Sequence, residues 1–160
     1  MARDHYIVPT APSEESITVR LGAGNAVGDN FSSVDAGKLV KLVGESRYNL
    51  CALGDEIEGV VSSVESATQN GYSIGGIVTD DCRIYARADG LQATPGVGVL
   101  AVGDYVVAGT VTAKGTAMTD FPKVVKATSQ TGIFRFAWRV VSLGPVGTGA
   151  VGTTVVIERL

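Results

Sequence analysis

The sequence has little charge: Asp, Glu, Lys and Arg make up 18% of the residues, whereas 45% are hydrophobic. Soluble domains average about 25% charged residues. So sparse a charge predicts that part of the surface is covered by another chain, often a copy of the same one, although a large core would also account for it. The net charge of −3 and the lack of a Lys/Arg run argue against nucleic acid as a partner, because phosphates need a basic patch.

Cysteine and histidine are also scarce. Cys51 and Cys82 are too few for a disulfide scaffold, and their positions on predicted strands favour buried free thiols. The single histidine, His5, lies close to the N-terminus. Nucleophile–His catalytic sites and four-ligand zinc sites need such residues in rigid positions. The sequence therefore predicts no catalytic residue, no metal site and no cofactor.

Long apolar runs are missing as well. No hydrophobic stretch approaches the roughly 20 residues that a membrane-spanning helix requires, and the N-terminus does not resemble a secretory signal. We therefore expect no membrane partner and synthesis in a cytoplasm.

Short valine-rich runs separated by glycines dominate the chain, which contains 21 glycines. Apolar and polar residues alternate from Ile17 onward, and a period of two indicates half-buried strands. No segment of ten or more residues shows a helical period. Many short strands with glycine turns predict an all-β fold, either a small barrel or a sandwich. The predicted strands after the first cover residues 38–43, 56–64, 72–78, 82–88, 105–112, 133–143 and 151–157, with a bulge at Gly75 and Gly76.

The N-terminal segment differs from the rest of the chain. Pro9 and Pro12 exclude a regular helix there, and the residues that follow them are polar. We therefore predict an extended arm over residues 1–16 and a single β domain over residues 17–160, to which the C-terminal third could add a lobe.

Two groups of apolar residues are candidate contact sites. Tyr6, Ile7 and Val8 form an apolar triplet in the arm, which predicts docking on a partner or pairing with the chain's own barrel as a first strand. Alternating aromatic residues further along could stack nucleobases. Without a basic groove they more often line a core or a subunit interface. The aromatic residues are Phe134, Phe136 and Trp138.

One internal similarity is visible. The sequence over residues 52–57 resembles that over residues 101–106, and in both a Gly-Asp pair precedes a valine-rich strand. Glycine permits a positive φ and aspartate accepts hydrogen bonds from nearby amides, so each pair predicts a tight turn. We interpret the two turns as related barrel corners.

Two enzyme-like motifs are present in incomplete form. Asp35-Ala36-Gly37-Lys38-Leu39 and the glycine-rich tail over residues 144–152 resemble motifs of the trimeric dUTP hydrolases. The acidic residue expected after Ala-Gly is replaced by Lys38, and the tail lacks the aromatic residue of that family. A trimeric all-β nucleotide hydrolase is therefore a distant alternative.

A closer resemblance covers residues 36–109. It rests on AGKLVKL at 36–42, LCALGD at 50–55, EGVVSSV at 58–64 and GVLAVGDYVVAG at 98–109. These segments resemble the capsid decoration, or head cement, proteins of tailed bacteriophages. The resemblance implies a non-enzymatic virion protein on the capsid exterior that stabilises the shell by bridging capsomers.

The same resemblance implies the partners. They would be the major capsid protein and further copies of the chain, as a homo-oligomer about a three-fold axis. The residues expected to contact the capsid or a neighbouring subunit are Tyr6, Ile7, Val8, Phe134, Phe136 and Trp138. A second interpretation is another phage structural module or a receptor-binding β module.

Overall fold

The structure, a computed structural model, describes residues 7–8, 16–22, 30–65, 73–79, 82–89, 99–127, 137–145 and 147–160. These residues form β-strands and a single-turn 3-10 helix over Ser33–Asp35, without an α-helix among them. The all-β prediction is therefore confirmed. In this part of the chain no helix is long and apolar enough to cross a membrane.

The strands form two closed barrels. A short strand, β1 (Ile7–Val8), comes first in the chain and belongs to the second barrel's sheet. The first barrel contains β2 (Ser16–Leu21), β3 (Leu39–Gly44), β4 (Arg47–Leu50), β5 (Gly59–Glu65) and β6 (Ser73–Val78). The second contains β7 (Arg83–Ala88), β8 (Tyr105–Ala108), β9 (Lys123–Lys126), β10 (Trp138–Ser142) and β11 (Thr154–Arg159).

The two barrels have the same topology. Counted in chain order within each barrel, the strands follow one another around it as first, third, second, fourth and fifth. The first and third strands are parallel in both barrels, as β2–β4 and as β7–β9. Every other neighbouring pair is antiparallel.

The strand register matches as well. Ile17 and Arg20 of β2 correspond to Ile84 and Arg87 of β7, because equivalent residues face them across the neighbouring strands. Each of three facing pairs in the first barrel has a counterpart in the second. Ile17–Ile77 corresponds to Ile84–Ile157, Arg20–Arg47 corresponds to Arg87–Lys123, and Val40–Leu50 corresponds to Val106–Lys126.

Both barrels also bulge at the same point. The register of β5 shifts between Val61 and Ser63, and that of β10 shifts between the equivalent residues Val140 and Ser142. A bulge inserts one unpaired residue and bends its strand. Agreement in topology, register and bulge position indicates that the chain is a tandem duplication of one five-stranded unit.

The prediction placed the bulge at Gly75 and Gly76 on β6, and this was wrong, because the extra residue lies on the neighbouring β5. Gly75 instead allows the neighbouring strands to approach closely, because it carries no side chain. A Cβ on Gly75 would lie 2.3 Å from the backbone oxygen of Ser63 and 2.5 Å from a methyl group of Leu21. The second barrel has the buried Val155 in place of Gly75. The first barrel therefore fills its interior with Leu21 where the second uses a residue of the neighbouring strand.

Replacing Gly75 by Ala is expected to lower the free energy of unfolding by about 1–3 kcal/mol, because overpacking forces strands and side chains apart. Urea denaturation measures this loss. The exposed Thr18 on the adjacent β2 provides a control, since Thr18→Ala should change the stability by no more than about 0.5 kcal/mol. Equal stability of the two variants would contradict the tight packing at Gly75.

The two barrels share a hydrophobic core. The first barrel has its own interior cluster, which includes Val19, Leu21 and Ile77. A larger cluster fills the second barrel and continues onto residues of the first. Residues of the first barrel and its loops in this larger cluster are Leu39, Cys51, Ile57, Val60 and Val78.

The predicted single domain over residues 17–160 thus consists of two barrels packed on a common core. In the C-terminal third, β10 and β11 lie between β8 and β7 within the second sheet. The arm boundary also differs by one residue, since Ser16 already belongs to β2.

Trp138 lies at the junction of the barrels. Its side chain is fully buried, and the indole N–H donates to the backbone oxygen of Ile57 at 2.9 Å. The expectation that Trp138 contacts a capsid or a neighbouring subunit is therefore corrected: a large apolar ring with one polar atom is used in the core, where Ile57 satisfies that atom.

Candidate functional site

The connection between β8 and β9, residues 109–122, has no regular secondary structure, and most of its side chains are exposed or half-buried. Loops longer than about 12 residues without secondary structure are uncommon in compact domains and are usually functional. We call this segment the β8–β9 loop. It is the best candidate for an interaction surface among the described residues.

A buried ion pair from the first barrel holds the β8–β9 loop. Asp35 ends the 3-10 helix and Lys38 directly precedes β3, and their side chains are 0% and 1% exposed. The Lys38 Nζ lies 2.6 Å from Asp35 Oδ1. It also donates to the backbone oxygens of Ala113 at 2.6 Å and Thr116 at 2.7 Å. All three ammonium protons therefore have an acceptor.

The local sequence explains why these two side chains meet. The N–H of Ser32 donates to Asp35 Oδ2 at 2.8 Å, which fixes the carboxylate across the helical turn. Gly37 then adopts a φ of 88°. Glycine tolerates this value, which other residues rarely adopt. The chain reverses there, so that Lys38 points back to Asp35.

Asp35 reaches the loop directly as well. The N–H of Gly115 donates to its Oδ1 at 2.8 Å. Burial raises the pKa of the Asp35 carboxyl, but hydrogen bonds from the Lys38 ammonium and from the backbone amides of Ser32 and Gly115 together hold it below the ordinary value of 3.8. The Asp35 carboxyl is therefore ionised at neutral pH.

Residues of the second barrel hold both ends of the same loop. The N–H of Thr110 donates to the buried Asp89 at 2.6 Å. At the other end, Arg87 Nε donates to Asp120 Oδ2 at 2.6 Å, and its guanidinium lies 5.6 Å from the centre of the Phe121 ring. An exposed segment held at both ends and in the middle is pre-organised for binding, because less conformational entropy is lost when a partner docks.

A small pocket of about 120 Å³ lies beneath this loop. Its walls include Lys38 and Leu39 from the first barrel and Thr110, Met118 and Phe121 from the loop. Lys38 offers no lone pair there, since its ammonium donates three hydrogen bonds. The Asp35–Lys38 segment that resembles a nucleotide hydrolase motif thus holds the loop in place. Among the described residues, no group of three or more His, Cys, Asp or Glu side chains could hold a metal ion.

The two Gly-Asp turns form as predicted. Gly54 and Gly103 have φ values of 86° and 92°. The Asp55 carboxylate accepts the N–H of Ala52, and the Asp104 carboxylate accepts the N–H of Ala101 at 2.8 Å. They are not equivalent corners, however, because the first precedes the fourth strand of its barrel and the second precedes the second strand.

No known protein-family model, curated protein or solved structure matches the chain. Its function must be inferred from its own residues and contacts.

Of the other predicted contact residues, the structure describes Ile7 and Val8. Ile7 and Val8 form β1, which pairs with β7 of the same chain. This is the second of the two alternatives predicted for them. Tyr6, Phe134 and Phe136 lie outside the described residues. The six residues therefore do not form one described surface.

The two cysteines are buried and free, as predicted. Burial raises the pKa of the Cys51 thiol, and the neighbouring Asp55 carboxylate raises it further. A buried, protonated thiol is a poor nucleophile, so Cys51 acts as a small core residue.

Proposed function

We propose that the chain is a structural virion protein that binds the outer surface of a tailed-phage capsid and stabilises it by bridging neighbouring capsomers. The observation that carries this proposal is the tandem duplication. Two barrels with the same topology and register pack on a common core, which holds them at a fixed spacing. Such a module suits a shell built from repeated subunits, since two linked weak contacts bind more tightly than either alone.

The β8–β9 loop supports the proposal as a contact surface. It is exposed, rich in small residues and threonine, and pinned by Lys38. A capsid-bridging protein must transmit force between capsomers, and a loop held by hydrogen bonds deforms less under force than a loop without them. The major capsid protein is then the partner, and further copies of the chain, arranged about a three-fold axis, are the second.

A co-sedimentation experiment tests the proposal. The purified chain is mixed with assembled capsids of the encoding phage that lack it, and the bound fraction is measured. We expect saturable binding in a fixed ratio to the major capsid protein and a higher capsid disruption temperature. Absence of binding by the folded chain would refute the proposal, and binding to host cells instead would favour the receptor-binding alternative.

Two matched variants assign the contact surface. Ala117→Arg places a bulky charge on the exposed part of the loop, while Ala101→Arg does the same at the exposed Gly-Asp turn. We expect Ala117→Arg to weaken capsid binding about tenfold or more, as disruption of an interface centre does, and Ala101→Arg to leave it unchanged. The reverse order would place the contact surface at the turn.

A further inference from the structure

The duplication allows the two barrels to be compared edge by edge, and one edge differs. In the second barrel, β7 has β11 on one side along most of its length. On its other side β9 covers only Arg87 and Ala88. The remaining part of that side is taken by β1, with Ile7 opposite Ile84 and Val8 opposite Arg83. A segment from outside the five-stranded unit thus completes this edge.

The equivalent edge of the first barrel lies on β2. There β6 pairs with the whole strand on one side, while β4 covers only Arg20 and Leu21 on the other. Ser16 and Ile17 correspond to Arg83 and Ile84. No strand that the structure describes pairs with residues 16–18 on the side of β4, and we call this segment the β2 edge.

The backbone of the β2 edge presents hydrogen-bonding groups on that side. The N–H of Arg20 donates to the Ser46 oxygen at 3.2 Å, and that of Gly22 to the Tyr48 oxygen at 2.8 Å, so these amides point towards β4. Since amide direction alternates along a strand, the N–H groups of Ser16 and Thr18 point the same way.

The β2 edge also differs from the equivalent part of β7 in the exposure of its side chains. Ile17 is 43% exposed, whereas Ile84 at the equivalent position is 0% exposed. Ser16 and Thr18 are exposed as well. A strand edge with an exposed β-branched residue is a template for an added strand.

We infer that the β2 edge accepts an extended segment of a different polypeptide, in the register that β1 takes on β7. The segment would carry adjacent β-branched apolar residues, as β1 does. A second copy of this chain is a poorer source, because its arm would have to give up its pairing with β7 for an equal pairing with β2. The identification of this polypeptide as the major capsid protein rests on the proposed function.

A synthetic peptide with the sequence of residues 4–11 is a suitable probe, because it contains the strand that the equivalent edge already holds. It is titrated into the full-length, ¹⁵N-labelled chain. We expect amide shifts at Ser16 and Thr18 and slower hydrogen exchange at both. The same peptide N-methylated at its Ile and Val residues cannot pair and should not bind.

Variants at Thr18 give a matched comparison. Thr18→Pro removes the edge-facing N–H and should weaken peptide binding about tenfold, as loss of one or two hydrogen bonds does. Thr18→Ala keeps the N–H and should bind as the unaltered chain does. If Thr18→Pro does not fold, exchange rates in the unaltered chain decide: amides of Ser16 and Thr18 that the peptide does not slow would overturn the inference.

Other outcomes separate the two proposals. Peptide shifts that map away from the β2 edge refute the edge but leave capsid binding standing. Peptide binding at the β2 edge without any capsid binding supports the edge and refutes the capsid proposal. Self-association of the free chain that protects Ser16 and Thr18 would assign the edge to a second copy and overturn the choice of a different polypeptide.

Discussion

Replacing Lys38 by Met is expected to lower the free energy of unfolding by about 3–5 kcal/mol, the usual cost of leaving one charge of a buried pair without its partner. The variant leaves the Asp35 carboxylate without its counter-ion and removes the ammonium donor from the backbone oxygens of Ala113 and Thr116. Urea denaturation at neutral pH measures the loss. Hydrogen exchange should accelerate in the β8–β9 loop before other parts of the chain.

Lys41, three residues further along on β3, provides the control. It pairs with Asp55 at 2.6 Å, but its side chain is 34% exposed. Lys41→Met should therefore cost no more than about 1 kcal/mol. Equal costs for the two substitutions would show that the buried pair does not hold the loop.

The response to acid offers a second readout of the same pair. Because the pKa of Asp35 is lower in the folded chain than its ordinary value of 3.8, the unfolded chain binds the proton more readily. The stabilisation is therefore complete above that value and is lost as the pH falls below it. In Lys38→Met the carboxylate loses the ammonium, so this contribution to the acid transition should shrink or move to higher pH.

Replacing Trp138 by Ala is expected to lower the free energy of unfolding by about 3–5 kcal/mol, because removal of a large aromatic side chain creates a cavity at the junction of the two barrels. The ring is 0% exposed and belongs to the cluster that both barrels share. Denaturation followed by far-ultraviolet circular dichroism measures the effect.

Trp138→Phe separates packing from hydrogen bonding. It keeps most of the ring but leaves the Ile57 oxygen without the indole donor, so a smaller loss of about 1–3 kcal/mol is expected. Since Trp138 is the only tryptophan, emission of the unaltered chain should shift to longer wavelength on unfolding. Alanine and phenylalanine variants of equal stability would mean that the cavity contributes nothing.

Strand periodicity was readable from the sequence because it depends on neighbouring residues. Alternation from Ile17 located β2, and the run ending at Asp89-Gly90 located β7. β4 and β9 were missed, since a strand of only four residues shows too little alternation. The Gly-Asp turns were also predicted, because glycine φ and aspartate hydrogen bonding are local properties.

The duplication was not readable in the same way. Equivalent strands share few identical residues, such as Ile17 with Ile84 and Arg20 with Arg87, and the visible similarity between residues 52–57 and 101–106 joins corners that are not equivalent. Different interior residues can fill the same barrel if their volumes compensate, as Leu21 beside Gly75 does. Topology and register survive such exchanges, whereas sequence identity does not.

The amino-acid pattern alone established an all-β chain with glycine turns and buried thiols, because these follow from local conformation and from the burial of small apolar residues. The contacts that hold the candidate site depended on the fold. Lys38 meets Ala113 and Thr116 only where the second barrel packs against the first, and Trp138 is buried at the same junction, where Ile57 accepts its N–H. Partners so distant in the chain leave no periodic trace in the sequence, since their proximity arises from barrel closure and the shared core.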